Sequence, residues 1–139
     1  MKKFLIVILT IISINVSAQN DNLPFKELGA YSEEFSSNNI VARMIEGLGY
    51  RFYWATESLT DKDLKYKPSE ESRSSLQTLE HIYGLSVFIL YTFEGKEYDF
   101  SQDEMTFTEL RNGTLKNLKI VYDMLNENAD ISQMQVRLN

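Results

Sequence analysis

The chain has 139 residues, and its 20 acidic side chains outnumber its 14 basic ones, giving a formal net charge of −6. An acidic chain without a Lys/Arg cluster repels phosphate backbones, so we expect no nucleic-acid partner. Cysteine is absent, which excludes disulfides, lipid attachment at a cysteine and thiol chemistry by the protein itself.

The N-terminus has the order of a secretory signal peptide. Lys2 and Lys3 precede an apolar run at 4–14, and Val16-Ser17-Ala18 follows as a small-residue cleavage motif. The run is much shorter than the roughly 20 apolar residues of a membrane-spanning helix. We therefore predict a signal peptide at 1–18 and a mature chain that begins at Gln19, is periplasmic or secreted, and is not held at the membrane. The alternative is an uncleaved anchor or an N-terminal core helix.

Three long helices are predicted in the mature part, at 39–59, about 75–93 and about 107–126, because apolar residues recur there every three or four positions. No alternating strand pattern competes, so the predicted fold class is all-α. The stripe of the first helix comprises Val41, Met44, Ile45, Leu48, Phe52, Ala55 and Leu59. The same pattern predicts that four charged residues remain in water: Arg43, Glu46, Arg51 and Glu57.

The ends of the second and third helices carry strong local signals. Ser74 with Gln77, and Thr106 with Glu109, have the spacing of capping boxes. Gly95 follows the second helix as a C-terminal cap. From 82 to 93 the second helix is apolar on nearly every side, which predicts that it is the central helix of the bundle.

Two further features concern packing. Residues 19–38 are predicted to be a lead-in segment that docks on the bundle through Phe25, Leu28, Tyr31 and Phe35. Four glycines lie inside the predicted helices: Gly47, Gly49, Gly84 and Gly113. Glycine costs roughly 1 kcal/mol in a helix relative to alanine, so these positions indicate either close helix approach around a cavity or loose packing and kinks.

The approach to the second helix contains, in order, Pro68, Arg73, Ser74, Leu76 and His81. In this order it resembles the first metal-ligand segment of the DinB-like helical bundles, and the resemblance covers roughly residues 39–126. It implies an antiparallel up-down four-helix bundle over 39–139. It also implies a divalent metal, zinc or nickel, held by one histidine on the second helix and a His-x-x-x-His pair on the last. The resemblance further implies a metal-dependent enzyme, such as a hydrolase or a thiol-dependent transferase.

His81 is the one family ligand that this sequence matches, because residues 82–139 contain no histidine. The chain after 127 is too short in apolar residues for a fourth long helix, so the fourth helix is expected to be missing, by nature or by a frameshift or early stop. One imidazole holds zinc weakly, since a catalytic zinc usually has three protein ligands. The alternative for His81 is a hydrogen-bonded core or boundary residue, and a homodimer could bring two copies of it together.

Other chemistries have weaker signals. Ser74 and Thr78 lie near His81 along the helix, but no oxyanion-hole or phosphate-loop motif accompanies them. Tyr50, Tyr53 and Trp54 form an aromatic band that lines either the core or a pocket or subunit interface.

Two functions remain open, and with them the question of whether the chain is an enzyme. The first is an exported DinB-like helical protein without a complete metal site or catalysis, which completes its bundle with a partner or a second copy. The second is a metal-dependent hydrolase or transferase with His81 as one ligand and a small-molecule substrate.

Overall fold

A computed structural model describes residues 22–30, 32–99, 104–127 and 129–137. The predicted signal peptide at 1–18 and Tyr31 lie outside this described part. Within it the chain is all-α, as predicted, and contains no strand. The helices are α1 (Ser37–Thr56), α2 (Asp61–Leu64), α3 (Ser75–Glu94) and α4 (Phe107–Asn126), followed by a 3-10 turn at Ile131–Gln133.

Side chains at the helix ends explain these bounds. Ser74 Oγ accepts from the Gln77 N–H at 3.1 Å, and Gln77 Oε1 accepts from the Ser74 N–H at 2.9 Å, so the first capping box is confirmed. Thr106 and Glu109 form the second box at the start of α4. Gly95 ends α3 with φ of 67°, the left-handed conformation that glycine adopts at little cost. The polar stretch after α1 forms one further helical turn, α2, with its own capping box.

The capping box of α4 makes stability depend on pH. The hydrogen bonds donated by the Thr106 hydroxyl and the Thr106 N–H hold the pKa of Glu109 below its ordinary value of 4.5. The contribution of the ionised Glu109 to the free energy of unfolding is therefore fully present above pH 4.5. It is lost as the pH falls through the lowered pKa of Glu109. We expect Glu109→Gln to lower the melting temperature at neutral pH, with the difference shrinking as the pH falls below 4.5 and through the lowered pKa. A difference that stays constant over the acid range in thermal unfolding would contradict this role.

The central helix is α4. It packs against both α1 and α3, while α1 and α3 make no comparable contact with each other. The prediction that the second long helix is central was therefore wrong. Its residues at 82–93 are apolar on most sides, but apolarity alone does not choose a partner. The buried residues of α3 are Leu79, Gly84, Ser86 and Leu90. Those of α4 are Leu110, Arg111, Thr114, Leu115, Leu118, Val121 and Leu125.

Two of the helical glycines mark close approaches. A Cβ at Gly113 would lie 2.6 Å from Cε2 of Tyr83, so glycine lets α4 lie close to α3. A Cβ at Gly49 would lie 2.4 Å from Cδ2 of Phe25, which belongs to the lead-in segment. Close helix approach is therefore confirmed at Gly113, whereas Gly49 makes room for a side chain of the lead-in segment and not for another helix. At Gly47 the one neighbour within contact distance is the guanidinium of Arg51, at 3.3 Å.

The first part of the lead-in segment docks on the C-terminal half of α1. Phe25 is 8% exposed, and the indole N–H of Trp54 donates a hydrogen bond to the Lys26 carbonyl at 3.1 Å. The predicted docking is wrong for Leu28 and Phe35, which are 45% and 92% exposed. The segment thus covers one side of α1 at Phe25 and leaves its later apolar residues accessible.

Glu46 lies beneath this segment, contrary to the prediction that it remains in water. It is 5% exposed because Gly29 donates its N–H to Oε1 at 2.6 Å and Arg43 pairs with Oε2. A buried carboxylate is tolerated only when it is paired and hydrogen-bonded, as this one is. Arg51 and Glu57 are exposed and Arg43 is half-buried.

Thr114 offers a test of the core. It is 1% exposed on α4, and its hydroxyl has no hydrogen-bond partner among the described residues. A buried unsatisfied hydroxyl costs about 1–3 kcal/mol. We therefore expect Thr114→Val to raise the free energy of unfolding by about 1 kcal/mol. Denaturant titration checks this, with Thr108→Val at an exposed α4 position as the control that stays within about 0.5 kcal/mol. A loss of stability in Thr114→Val would show that the hydroxyl is paired in solution.

Candidate functional site

His81 lies on an exposed part of α3. Among the described residues it makes no hydrogen bond or ion pair, so it is not the hydrogen-bonded core residue of the alternative interpretation. The same part of the chain contains no group of three or more His, Cys, Asp or Glu side chains that could hold a metal ion. The described residues therefore do not fit a three-histidine site, and we derive no metal-dependent step.

A serine–histidine pair is not formed either. The hydroxyl of Ser74 accepts from the Gln77 N–H as the helix cap. The hydroxyl of Thr78 donates to the Ser74 carbonyl at 3.0 Å. Both hydroxyls are thus engaged with the backbone of the first helical turn and are not held by the imidazole of His81.

The residues around Leu85 form one face of α3, which we call the Leu85 face. Since successive residues of an α-helix are rotated by about 100°, residues within about 60° of Leu85 share this face. It comprises Thr78, His81, Ile82, Leu85, Phe88, Ile89 and Thr92. None of them is buried, and Leu85 itself is 48% exposed. Its exposed residues are Thr78, His81 and Leu85, whereas Ile82 and Ile89 are half-buried and pack against the core at the edge of the face. The described part of the chain therefore covers this face only in part.

The face is also free of carboxylates. Glu80 and Glu94, the two acids of α3, lie about 140° and about 180° around the helix from Leu85. The hydroxyls of Thr78 and Thr92 are turned back onto helix carbonyls, the latter onto Phe88 O at 2.9 Å. Both threonine hydroxyls are thus satisfied within the helix. His81 is the one titratable side chain on the face.

The neighbouring side of α3 is covered by later parts of the chain. Tyr98 is 6% exposed, and its ring packs edge-on against Phe88 and Tyr91, with ring centroids 5.5 and 6.3 Å apart. The N–H of Tyr98 donates to the Arg137 carbonyl at 3.2 Å. This hydrogen bond joins the segment after α3 to the last described residues, 129–137. This cover reaches the edge of the Leu85 face at Phe88.

A pair of charged side chains lies at the C-terminal end of α3. Lys96 pairs with Glu94 at 2.6 Å, and its ammonium lies 5.5 Å from the centroid of the Tyr91 ring. The hydrogen bond to Glu94 raises the pKa of Lys96. The charged end and the uncharged Leu85 face are thus separate surfaces of one helix.

A concave surface lies on a different helix, α1. It is a cleft of about 750 Å³ between the lead-in segment and α1, reaching Tyr122 and Asn126 of α4. Sequence reasoning missed it, because a helical stripe reveals neither the path of a preceding loop nor the burial of Glu46. The one available signal was the apolar spacing of Ile40 and Met44 on α1. The sequence analysis placed Met44 in the core-facing stripe, and this was wrong, because Met44 is 68% exposed.

The aromatic band of α1 is divided between core and surface. Tyr53 is 2% exposed and Trp54 is 46% exposed, while Tyr50 is half-buried. The guanidinium of Arg111 lies 4.7 Å from the centroid of the Tyr53 ring, and its Nε donates to Thr56 Oγ1 at 3.0 Å. The core interpretation therefore holds for Tyr53. Arg111 is a buried cation that apolar periodicity did not single out.

Comparisons with known proteins add no relative. No protein-family model, no curated protein and no solved structure matches the chain. In the part of the chain that the structure describes, no helix has both the length and the apolar composition needed to cross a bilayer. The DinB-like resemblance therefore rests on the motif at 68–81 and on the pattern of helix lengths.

Proposed function

We propose that this chain is an exported helical-bundle protein that acts by association rather than catalysis, and that two copies pair through their Leu85 faces. The observation that carries this is the face itself: a carboxylate-free helix surface around the exposed Leu85, which the described residues cover only in part. Apolar surface removed from water contributes roughly 25 cal/mol per Å². Removing the exposed part of this face from water therefore favours association.

Charge favours a second copy of the chain as the partner. The protein carries a net charge of −6, so most surfaces of two copies repel each other. The two acids of α3, Glu80 and Glu94, lie on the side of the helix that is turned away from this contact. A two-fold dimer brings the same patch of each subunit together, and an uncharged face meets itself without placing like charges opposite one another.

The proposal includes the antiparallel, DinB-like arrangement. In a four-helix bundle each helix has two neighbours around a shared core. With α4 between α1 and α3, each outer helix keeps a side that a fourth helix would cover. A helix of the second copy takes that place on α3. The chain would then use the ancestral bundle geometry for pairing.

The alternative function is a metal-dependent hydrolase or transferase with His81 as a ligand. Its support is that His81 is accessible and lies on the proposed interface, where each copy would contribute one imidazole. Two imidazoles still fall short of the three protein ligands usual for a catalytic zinc. Pairing through the face therefore does not by itself build that site.

Light scattering coupled to size exclusion, with a zinc titration, separates the two functions. For the chain that begins at Gln19, we expect the mass to rise from monomer to dimer over an about hundredfold range of protein concentration. Chelator and added zinc are expected to leave that transition unchanged. A monomer throughout, with stoichiometric zinc binding that His81→Gln abolishes, would contradict the proposal and support the metalloenzyme.

A further inference from the structure

The cleft on α1 has the size and lining of a small-molecule site. Its volume of about 750 Å³ lies within the roughly 300–1,000 Å³ typical of ligand pockets. Apolar side chains from both walls line it: Leu28 and Phe35 from the lead-in segment, and Ile40 and Met44 from α1. Phe35 and Met44 are 92% and 68% exposed, so an apolar ligand would cover a large area of each.

The floor of the cleft is held in place by hydrogen bonds. Gly29 and Arg43 both bind the buried carboxylate of Glu46, and Arg43 also donates to the Gly29 carbonyl at 3.3 Å. Trp54 fixes the segment again at Lys26. The segment is thus tied to α1 without a ligand. A preformed site loses less conformational entropy when it binds.

The two ends of the cleft differ in charge. Glu46 is neutralised by Arg43, and Glu34 stands exposed beside the start of α1. Arg51 lies about 20 Å from the start of α1, measured along the helix axis. It makes no ion pair with any described residue. Its guanidinium donates to the Gly47 carbonyl at 3.1 Å, which holds it over the helix surface. One end of the cleft therefore offers the cation of Arg51, the other end the carboxylate of Glu34, and the apolar side chains of Ile40 and Met44 lie between them.

We propose that this cleft binds an organic anion with an extended apolar body, of the fatty-carboxylate class, with its head at Arg51 and its tail along Met44 and Ile40. Arginine presents a fork of donors that fits a carboxylate. The distance along α1 from Arg51 to Ile40, about 16 Å, leaves room for an extended alkyl chain. The site is independent of the Leu85 face, because it lies on a different helix.

Dodecanoate is the probe, and dodecanol is its uncharged counterpart. Trp54, the one tryptophan of the chain, lies one helical turn from Arg51 and reports binding by fluorescence, with calorimetry as the second readout. We expect saturable binding of one dodecanoate per chain, and binding of dodecanol at least about fivefold weaker. Arg51→Gln is expected to weaken dodecanoate binding at least about fivefold. The matched control Arg73→Gln, at an exposed arginine outside the cleft, is expected to leave the affinity unchanged.

Three results would overturn the proposal. They are the absence of saturable binding, equal affinity for dodecanoate and dodecanol, and an unchanged affinity in Arg51→Gln. Leu85→Gln serves as a further control: loss of binding there but not in Arg51→Gln would move the ligand to α3. Because Arg51 is exposed and its one described hydrogen bond is to its own helix, Arg51→Gln is expected to keep the melting temperature of the parent.

Discussion

Leu85→Glu is expected to raise the dissociation constant of the proposed dimer at least about hundredfold. In a two-fold interface the substitution enters twice, so two carboxylates face each other in a contact that contains no acid in the parent chain. Each loses water on association, and the face contains neither lysine nor arginine to pair with it. Sedimentation velocity over a concentration series measures the effect.

Ile120→Glu is the matched control. Ile120 is an aliphatic residue on α4 with 43% exposure, close to the 48% of Leu85, but it lies outside the Leu85 face. We expect this variant to dimerise nearly as the parent does, apart from a modest weakening due to added net charge. Equal loss of association in both variants would show a general charge effect and no specific role of α3.

Gly49→Ala is expected to lower the free energy of unfolding by about 2 kcal/mol, although alanine is the better helix former by roughly 1 kcal/mol. The added Cβ would lie 2.4 to 2.9 Å from three ring atoms of Phe25, so the ring has to move. Phe25 is 8% exposed and its backbone has φ of 68°, a left-handed conformation that few non-glycine residues adopt. The displaced ring loses its buried contacts, among them the edge-on packing against Tyr122.

Gly47→Ala, two residues away on the same helix, is expected to do the opposite. Its Cβ meets only the end of the flexible Arg51 side chain, at 3.3 Å. Stability should therefore rise by about 0.5–1 kcal/mol through helix propensity. Urea unfolding of both variants gives the comparison. Stabilisation by both substitutions would mean that Phe25 does not pack on α1 in solution.

Local sequence signals predicted the helix ends well. Capping boxes need residues three positions apart, so Ser74 with Gln77 and Thr106 with Glu109 could be read directly from the chain. Gly95 likewise marked the end of α3. These features depend on the backbone of one helical turn, and no distant contact competes with them.

The partners of each helix could not be predicted in the same way. Periodicity identifies which side of a helix is apolar, but it does not say which other helix covers that side. Residues 82–93 of α3 are apolar on nearly every side, and yet α4 is the helix between the other two. Glu46 falls outside the apolar stripe of α1 and is buried all the same, because Gly29, 17 residues earlier, donates to it.

The candidate sites likewise combine features that the sequence predicts locally with features that depend on tertiary contacts. His81 could be located on a helix from the sequence, but its exposure depends on the tertiary arrangement. The Leu85 face was predicted only as part of an all-apolar helix, and its carboxylate-free character depends on where Glu80 and Glu94 lie around the axis. The cleft required the path of the lead-in segment, which has no periodic signal.

Chemical cross-linking tests the proposed pairing of the Leu85 faces most directly. The chain has no cysteine, so Leu85→Cys and Ile120→Cys each introduce a single thiol. With a short bis-maleimide reagent, pairing through the Leu85 face predicts rapid dimer formation by Leu85→Cys, several-fold faster than by Ile120→Cys, with excess unlabelled parent protein reducing the yield. Equal, slow cross-linking of both variants would contradict the account and leave the Leu85 face without its proposed partner.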